Sequence, residues 1–200
     1  TNLQNKETDM NDIQIIKSDV LKEQYSLIRT GCGLTIACYP MPKHNGIHAV
    51  FATNFGSINR KFSVDGTEYE VPAVVAHFLE HMAFNGSKNF PGKNMLNYLQ
   101  SKGIRFGADI NAYTSFDETV YNINSIPTSD EALMDSVLLA LHDWSCALSL
   151  EADEIEAERG VIHEEWRSRN DANTRMFNAV LPQLFDEYQS KIDVVVLDIM

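Results

Sequence analysis

V-V-A-H-F-L-E-H-M-A-F-N-G, residues Val74 to Gly86, is the stretch on which the reading of the whole chain turns. His77 and His81 are four residues apart, a spacing that stacks two side chains on one face of an α-helix, one turn above the other. Glu80 shares that edge, three residues after His77 and one before His81. Val75, Phe78, Leu79 and Met82 fill the opposite face and read as a core stripe. Asn85 and Gly86 close the segment as a helix C-terminus would. Val71-Pro72 opens it, with proline at an early helical position where its missing N–H costs nothing. Two neutral imidazoles a helical turn apart are a standard way to hold Zn²⁺, and a neighbouring carboxylate can then accept a proton from water acidified by the metal. The ordinary alternative is a helix whose histidines meet solvent or plain hydrogen-bond partners, so the motif calls for a third ligand elsewhere.

A chain of 200 residues can bury one full core, and its 44% of hydrophobic residues is usual for a globular protein. No apolar run reaches the length that crosses a bilayer. A formal net charge of −12 and a pI near 4.8 argue against a nucleic-acid partner, which needs clustered Lys and Arg. An acidic field attracts basic peptides, but by itself it mostly confers solubility. Cys32, Cys38 and Cys146 are too few and too unevenly spaced for a disulfide framework, and no C-x-x-C pair offers a thiolate zinc site. Cys32 and Cys38 are placed to face each other across a tight hairpin, with buried free thiols the commoner outcome.

Working outward, residues 1 to about 20 read as a flexible polar arm. Gln24 to Pro40 reads as a hairpin turning at Gly31-Cys32-Gly33, and Gly46 to Asn54 as a strand with Ile47, Ala49 and Phe51 on one face. Residues 55–70 read as a polar connection with an Asp65-Gly66 turn. After the motif, a short helix from Asn94 to Ser101 ends at Gly103, and two strands occupy Ile104 to Ile126. Thr128-Ser129-Asp130-Glu131 reads as a capping box. The helix behind it carries Leu133, Met134, Val137, Leu138, Leu141, Trp144 and Leu148 as a core stripe. Further helices are expected over residues 152–169 and from Ala172 to Tyr188, the latter with Met176, Phe177, Val180, Leu181, Leu184 and Phe185 on one side; Ile192 to Leu197 is strand-like. Strands, one helix, more strands, then helices predict an α+β fold, with helices packed on one face of a mainly antiparallel sheet.

The 152–169 helix is crowded with acids, most of them a solvated face. Glu158 and Glu165 differ, because seven residues separate them and they share a face with Ile155 and Ile162. Carboxylates alternating with isoleucine along one stripe are costly to bury unless paired or metal-bound. That line can meet the histidine pair, with Glu164 the competing candidate and His163 expected at the surface.

H-F-L-E-H at 77–81, the N-G-S-K-N-F-P-G that follows, G-A-D-I-N-A-Y-T-S-F-D-E-T-V-Y at 107–121 and A-E-R-G-V-I-H-E-E-W-R at 157–167 together resemble the pitrilysin–insulysin family of zinc metallopeptidases, nearest its bacterial peptidase branch. The resemblance implies a metallopeptidase half-domain with ferredoxin-like elements over residues 21–200, incomplete or one half of a two-domain enzyme. It implies that His77, His81 and Glu165 bind Zn²⁺, that Glu80 is the general base, and that Glu158 steadies a ligand. Asn111 and Ala112 match the strand edge on which the family lays its peptide substrate by β-augmentation, although a turn-forming role for Asn111 is equally consistent with the residues alone. The implied partners are a peptide or unfolded polypeptide substrate and a homologous second half, partner subunit or second copy. A soluble protein of bacterial type, cytoplasmic or periplasmic, is expected. The function implied is a zinc endopeptidase or its catalytic half. The alternative is a non-catalytic scaffold of the same fold, disfavoured by the intact His77, Glu80, His81 and Glu165 set.

Overall fold

A computed structural model describes residues 13–184, the Pro182 side chain excepted. The chain divides after Asn45 into two compact units. The first holds a three-stranded antiparallel sheet in the order β1-β2-β3, formed by β1 (Ile13–Ser18), β2 (Glu23–Arg29) and β3 (Thr35–Cys38). The β2–β3 pair is the expected hairpin. Part of the expected arm, however, is β1, which pairs along its whole length with β2 from Ile13 opposite Ile28 to Ser18 opposite Glu23. Isoleucines at 13, 15 and 16 suit a pleated strand, a signal outweighed in the sequence by the polar residues before them. Residues 1–12 lie outside the described residues. All three cysteines are free and exposed rather than buried, because Cys32 sits in the hairpin turn, Cys38 at the end of β3 and Cys146 at a helix end.

The second unit is built on a sheet in the order β4-β8-β7, all antiparallel: β4 (Gly46–Thr53), β7 (Ile110–Thr114) and β8 (Thr119–Pro127). Ile110, Ala112 and Thr114 of β7, and Thr119, Tyr121 and Ile123 of β8, turn to one buried face, as a period of two requires. A bulge sets two residues of β8, Asn124 and Ser125, against His48 of β4, with Ser125 at φ 60°. Between β4 and the sheet's other strands the chain forms a hairpin, β5 (Lys61–Val64) and β6 (Thr67–Glu70), turning on Asp65 and Gly66, both at positive φ. The residues expected as a mere connection are thus two strands, and the Asp-Gly pair is their tight turn.

Helices cover the buried face: α1 (Val75–Met82), α2 (Asn94–Ser101) and α3 (Glu131–Cys146). Met95, Leu99, Ile104, Ile110, Ile123, Ile126, Leu133, Val137 and Trp144 make the core with them. The fold is α+β, with helices on one sheet face, as the element order predicts. On α3 the core line is Leu133, Val137, Ala140 and Trp144, whereas Leu138 is 56% exposed and Met134 and Leu141 are half-buried. Asp130, rather than Thr128, is the N-cap of α3, its side chain accepting the Leu133 N–H at 3.0 Å. Pro72 lies before α1 rather than within it, its carbonyl accepting the Val75 N–H. Helices α4 (Ala152–Arg169) and α5 (Ala172–Leu184) follow. The apolar side of α5 is open, with Met176, Phe177, Val180 and Leu184 exposed. The expected strand at Ile192 to Leu197, and Phe185, lie outside the described residues. No described helix is long and apolar enough to cross a membrane.

Candidate metal centre

Helix α1 runs between the sheet and α4, and that position decides which of its faces is buried. His77 and Glu80 are 2% and 5% exposed, deeper than Val75, Phe78 and Leu79, which are only half-buried. Of the apolar stripe expected on α1, only Met82 is fully buried. The polar edge of the motif helix is an interior surface, and polar groups there need partners.

The partners come from α4. Glu165 Oε2 lies 3.6 Å from His77 Nε2 and 3.4 Å from His81 Nε2, and the two Nε2 atoms are 3.1 Å apart. These three atoms form a group able to hold a metal ion. Among the described residues Glu165 Oε2 is buried and accepts no hydrogen bond, while Oε1 is held by Arg169 at 2.5 Å. A tetrahedron with Zn–N arms of about 2.0–2.1 Å has edges of roughly 3.4 Å, so the triangle fits such an ion. Two imidazoles and one carboxylate also match the donor set of a zinc site with one position left for water. Glu164, the competing candidate, is mostly exposed and pairs with Arg167 at 2.9 Å. His163 is exposed, as expected.

Glu158, two turns before Glu165, reaches the far side of His81: its Oε1 is 2.7 Å from Nδ1. A carboxylate there favours the proton on Nδ1 and leaves the Nε2 lone pair for the triangle. Burial lowers the pKa of His77 and keeps its imidazole neutral, the form that binds metal. Burial pushes the Glu80 carboxyl up, opposed by the Thr114 hydroxyl, which donates to Glu80 Oε2 at 2.6 Å, and by the two imidazoles. Asn111 and Ala112 lie on β7, which among the described residues is an edge strand. The Ala112 N–H donates to Asn111 Oδ1 at 3.0 Å.

Four residues of this region escaped the sequence reading. Thr114 is 1% exposed and continues the inward line of Ile110 and Ala112, so a polar residue in a buried strand position was the available signal. Arg169 is four residues after Glu165 on one helix, a recognisable ion-pair spacing. Asn85 donates to Glu158 Oε2 at 2.6 Å. Asp143, fully buried in the α3 stripe, accepts from Ser87 Oγ at 2.7 Å and from the Asn89 N–H and Nδ2 at 2.9 and 2.8 Å. Nothing local in the sequence announced the contacts of Asn85 and Asp143, which span 73 and 54–56 residues.

An α+β unit whose H-x-x-E-H helix meets an acidic helix across a metal-sized triangle is the architecture of a metallopeptidase half-domain. Residues 65–194 match the family model described as Insulinase (Peptidase family M16), and the chain belongs to that family. It is 49% identical over 110 residues to a protein of Escherichia coli K12 named "Probable zinc protease PqqL", covering 55% of this chain and 12% of that protein. It is 29% identical over 185 residues to the "Uncharacterized zinc protease YmfH" of Bacillus subtilis 168, covering 91% of this chain and 40% of that protein. Among solved structures, the first half of the periplasmic protease PqqL from Escherichia coli superimposes with a TM-score of 0.70 at 37% identity, over 86% of this chain and 34% of that one. The chain therefore spans well under half the length of these relatives.

Proposed function

We propose that this chain is the catalytic part of a zinc-dependent endopeptidase. The observation that carries the reading is the convergence of His77 Nε2, His81 Nε2 and Glu165 Oε2 within 3.1–3.6 Å of one another, beside a buried Glu80. The chemistry that zinc supplies when held there is Lewis acidity toward a peptide carbonyl and toward water.

The chain's own residues do the rest. Glu80 takes the proton of the attacking water. Its Oε2 accepts a hydrogen bond from the Thr114 hydroxyl, which holds the carboxylate in one orientation. Burial holds the Glu80 carboxyl above its ordinary pKa, which brings it nearer the range where a base both accepts and returns a proton. As the new C–O bond forms and the C–N bond breaks, Glu80 returns that proton to the leaving amine. Glu158 keeps His81 in the tautomer that presents Nε2. The outer edge of β7 at Asn111 and Ala112 takes the substrate backbone as an added strand. A peptide or unfolded polypeptide is the substrate class. A homologous second half, partner subunit or second copy closing over the peptide belongs to the same proposal. The non-catalytic scaffold is not favoured, since the chain carries His77, Glu80, His81 and Glu165 intact.

The test is elemental analysis of the purified chain together with hydrolysis of a quenched peptide, with and without chelator. One zinc per chain and chelator-sensitive turnover are expected. A chain that takes up no zinc, or turnover indifferent to chelator, refutes the reading.

A further inference from the structure

Both oxygens of Glu158 are engaged, and by different elements. Oε1 meets His81 Nδ1 at 2.7 Å, and Oε2 accepts the Asn85 Nδ2–H at 2.6 Å. A glutamate on a helix has three side-chain torsions to settle, so one contact does not fix its carboxylate plane; two contacts at opposite oxygens do. Asn85 can act as that second anchor only if its own backbone is held, and it is held from both sides. Its N–H donates to the Met82 carbonyl at 3.1 Å, at the end of α1. The next residue, Gly86, has φ 138°, and a Cβ there would stand 2.9 Å from the Gly92 nitrogen, so the turn admits only glycine. The Gly86 carbonyl accepts the Ser149 N–H at 3.1 Å, and Ser87 and Asn89 are pinned to the buried Asp143.

We propose that Asn85 is a positioning residue of the metal centre, clamping Glu158 so that Glu158 in turn aims His81 Nε2 at the ion. The proposal rests on the metal-site reading above. It assigns to the loop after the motif helix, anchored on Asp143 of α3, a share in the metal affinity of residues it does not touch. A mere tie between α1 and α4 is the competing account: such a tie contributes to folding and leaves affinity alone, or lowers it whether or not Glu158 is present.

Competition between the full chain and a chromophoric zinc chelator reads affinity without any need for turnover. Asn85→Ala is expected to weaken zinc binding by about 10–100-fold, the range found when a group orienting a ligand is removed, with the melting of the metal-free protein little changed. Asn85→Asp keeps the shape and sets a second carboxylate against Glu158 Oε2, so it is expected to bind zinc no better than Asn85→Ala at neutral pH; it decides the matter should the alanine variant fold poorly. In a Glu158→Ala background the same Asn85→Ala change is expected to alter affinity by less than about twofold, since residues acting through one another are not additive. Wild-type affinity in both Asn85 variants overturns the proposal while leaving the metal site standing. An undiminished Asn85→Ala loss without Glu158 overturns it in favour of the tie. Absence of zinc uptake by the unaltered chain removes the metal site itself and the proposal with it.

Discussion

The roles proposed for Glu80 and Glu165 lie at opposite ends of the chemistry, and single substitutions separate them. Glu80→Gln keeps the shape and the Thr114 hydrogen bond but cannot take a proton, so zinc content is expected to stay near wild type while peptide hydrolysis falls by about 100-fold or more. Glu165→Ala removes one of three donors and is expected to weaken zinc binding by at least about 100-fold, whereas Glu164→Ala, losing only an exposed pair with Arg167, is expected to change it by less than about twofold. Metal titration of the two variants checks this, and the reverse order would move the ligand by one residue. Asp109 offers a test by acid. Its carboxyl is held down to about 2 by the Arg105 side chain first, then by the Arg105 N–H and Ser125 Oγ. A depressed carboxyl stabilises the fold above its unfolded pKa of about 4 and loses that contribution as pH falls toward 2. Asp109→Asn is therefore expected to flatten the dependence of melting temperature on pH between about 4 and 2, measured against wild type. The two histidines and Glu80 were plain in the sequence because a helix repeat alone places them together. Thr114, Asn85 and Asp143 were not, because their partners lie 34 to 73 residues away.

Elements, rather than residues, determine which faces are buried. Helix α1 by periodicity should hide Val75, Phe78 and Leu79, yet it buries His77 and Glu80 more deeply, since α4 packs on that edge and the sheet on another. The carboxylates of α4 make the same point: Glu158 and Glu165 are partly covered and engaged, while Glu156 and Glu164 on the other faces meet solvent and arginine. Helix α3 contributes Asp143 from within its apolar stripe, and this carboxylate carries the loop after α1. Burial pushes its pKa up, but the bonds from Ser87 and Asn89 outweigh burial and hold it ionised. Asp143→Ala leaves those donors buried without an acceptor and is expected to cost about 3–5 kcal/mol, which for a domain of this size lowers the melting temperature by roughly 10 °C. Asp143→Asn, retaining one acceptor oxygen, is expected to cost less; calorimetry distinguishes them. The β5–β6 hairpin shows the limit of reading elements from composition. Asp65-Gly66 reads as a turn, but four-residue polar strands on either side carry too little alternation to be seen without their pairing.

At the scale of the molecule, all proposed ligands fall in the unit from Gly46 onward. Zinc at about 100 times its dissociation constant is expected to stabilise that unit by about 2.7 kcal/mol, a rise of roughly 5–10 °C in melting temperature. Chelator should reverse the rise and Glu165→Ala should abolish it; an equal rise in that variant would place the ion elsewhere. The sequence by itself determined the helix that pairs His77 with His81, the inward line of Glu158 and Glu165, the alternation of the sheet strands and the membership of a peptidase family, because these are short-range repeats of 3.6 or 2 residues and contiguous motifs. Only the tertiary structure decided that Glu158 takes the outer nitrogen of His81, and that Asn85 and Asp143 stand behind it. Those choices depend on how α1, α3 and α4 pack, and packing brings together residues separated by tens of positions whose side-chain directions no local pattern encodes.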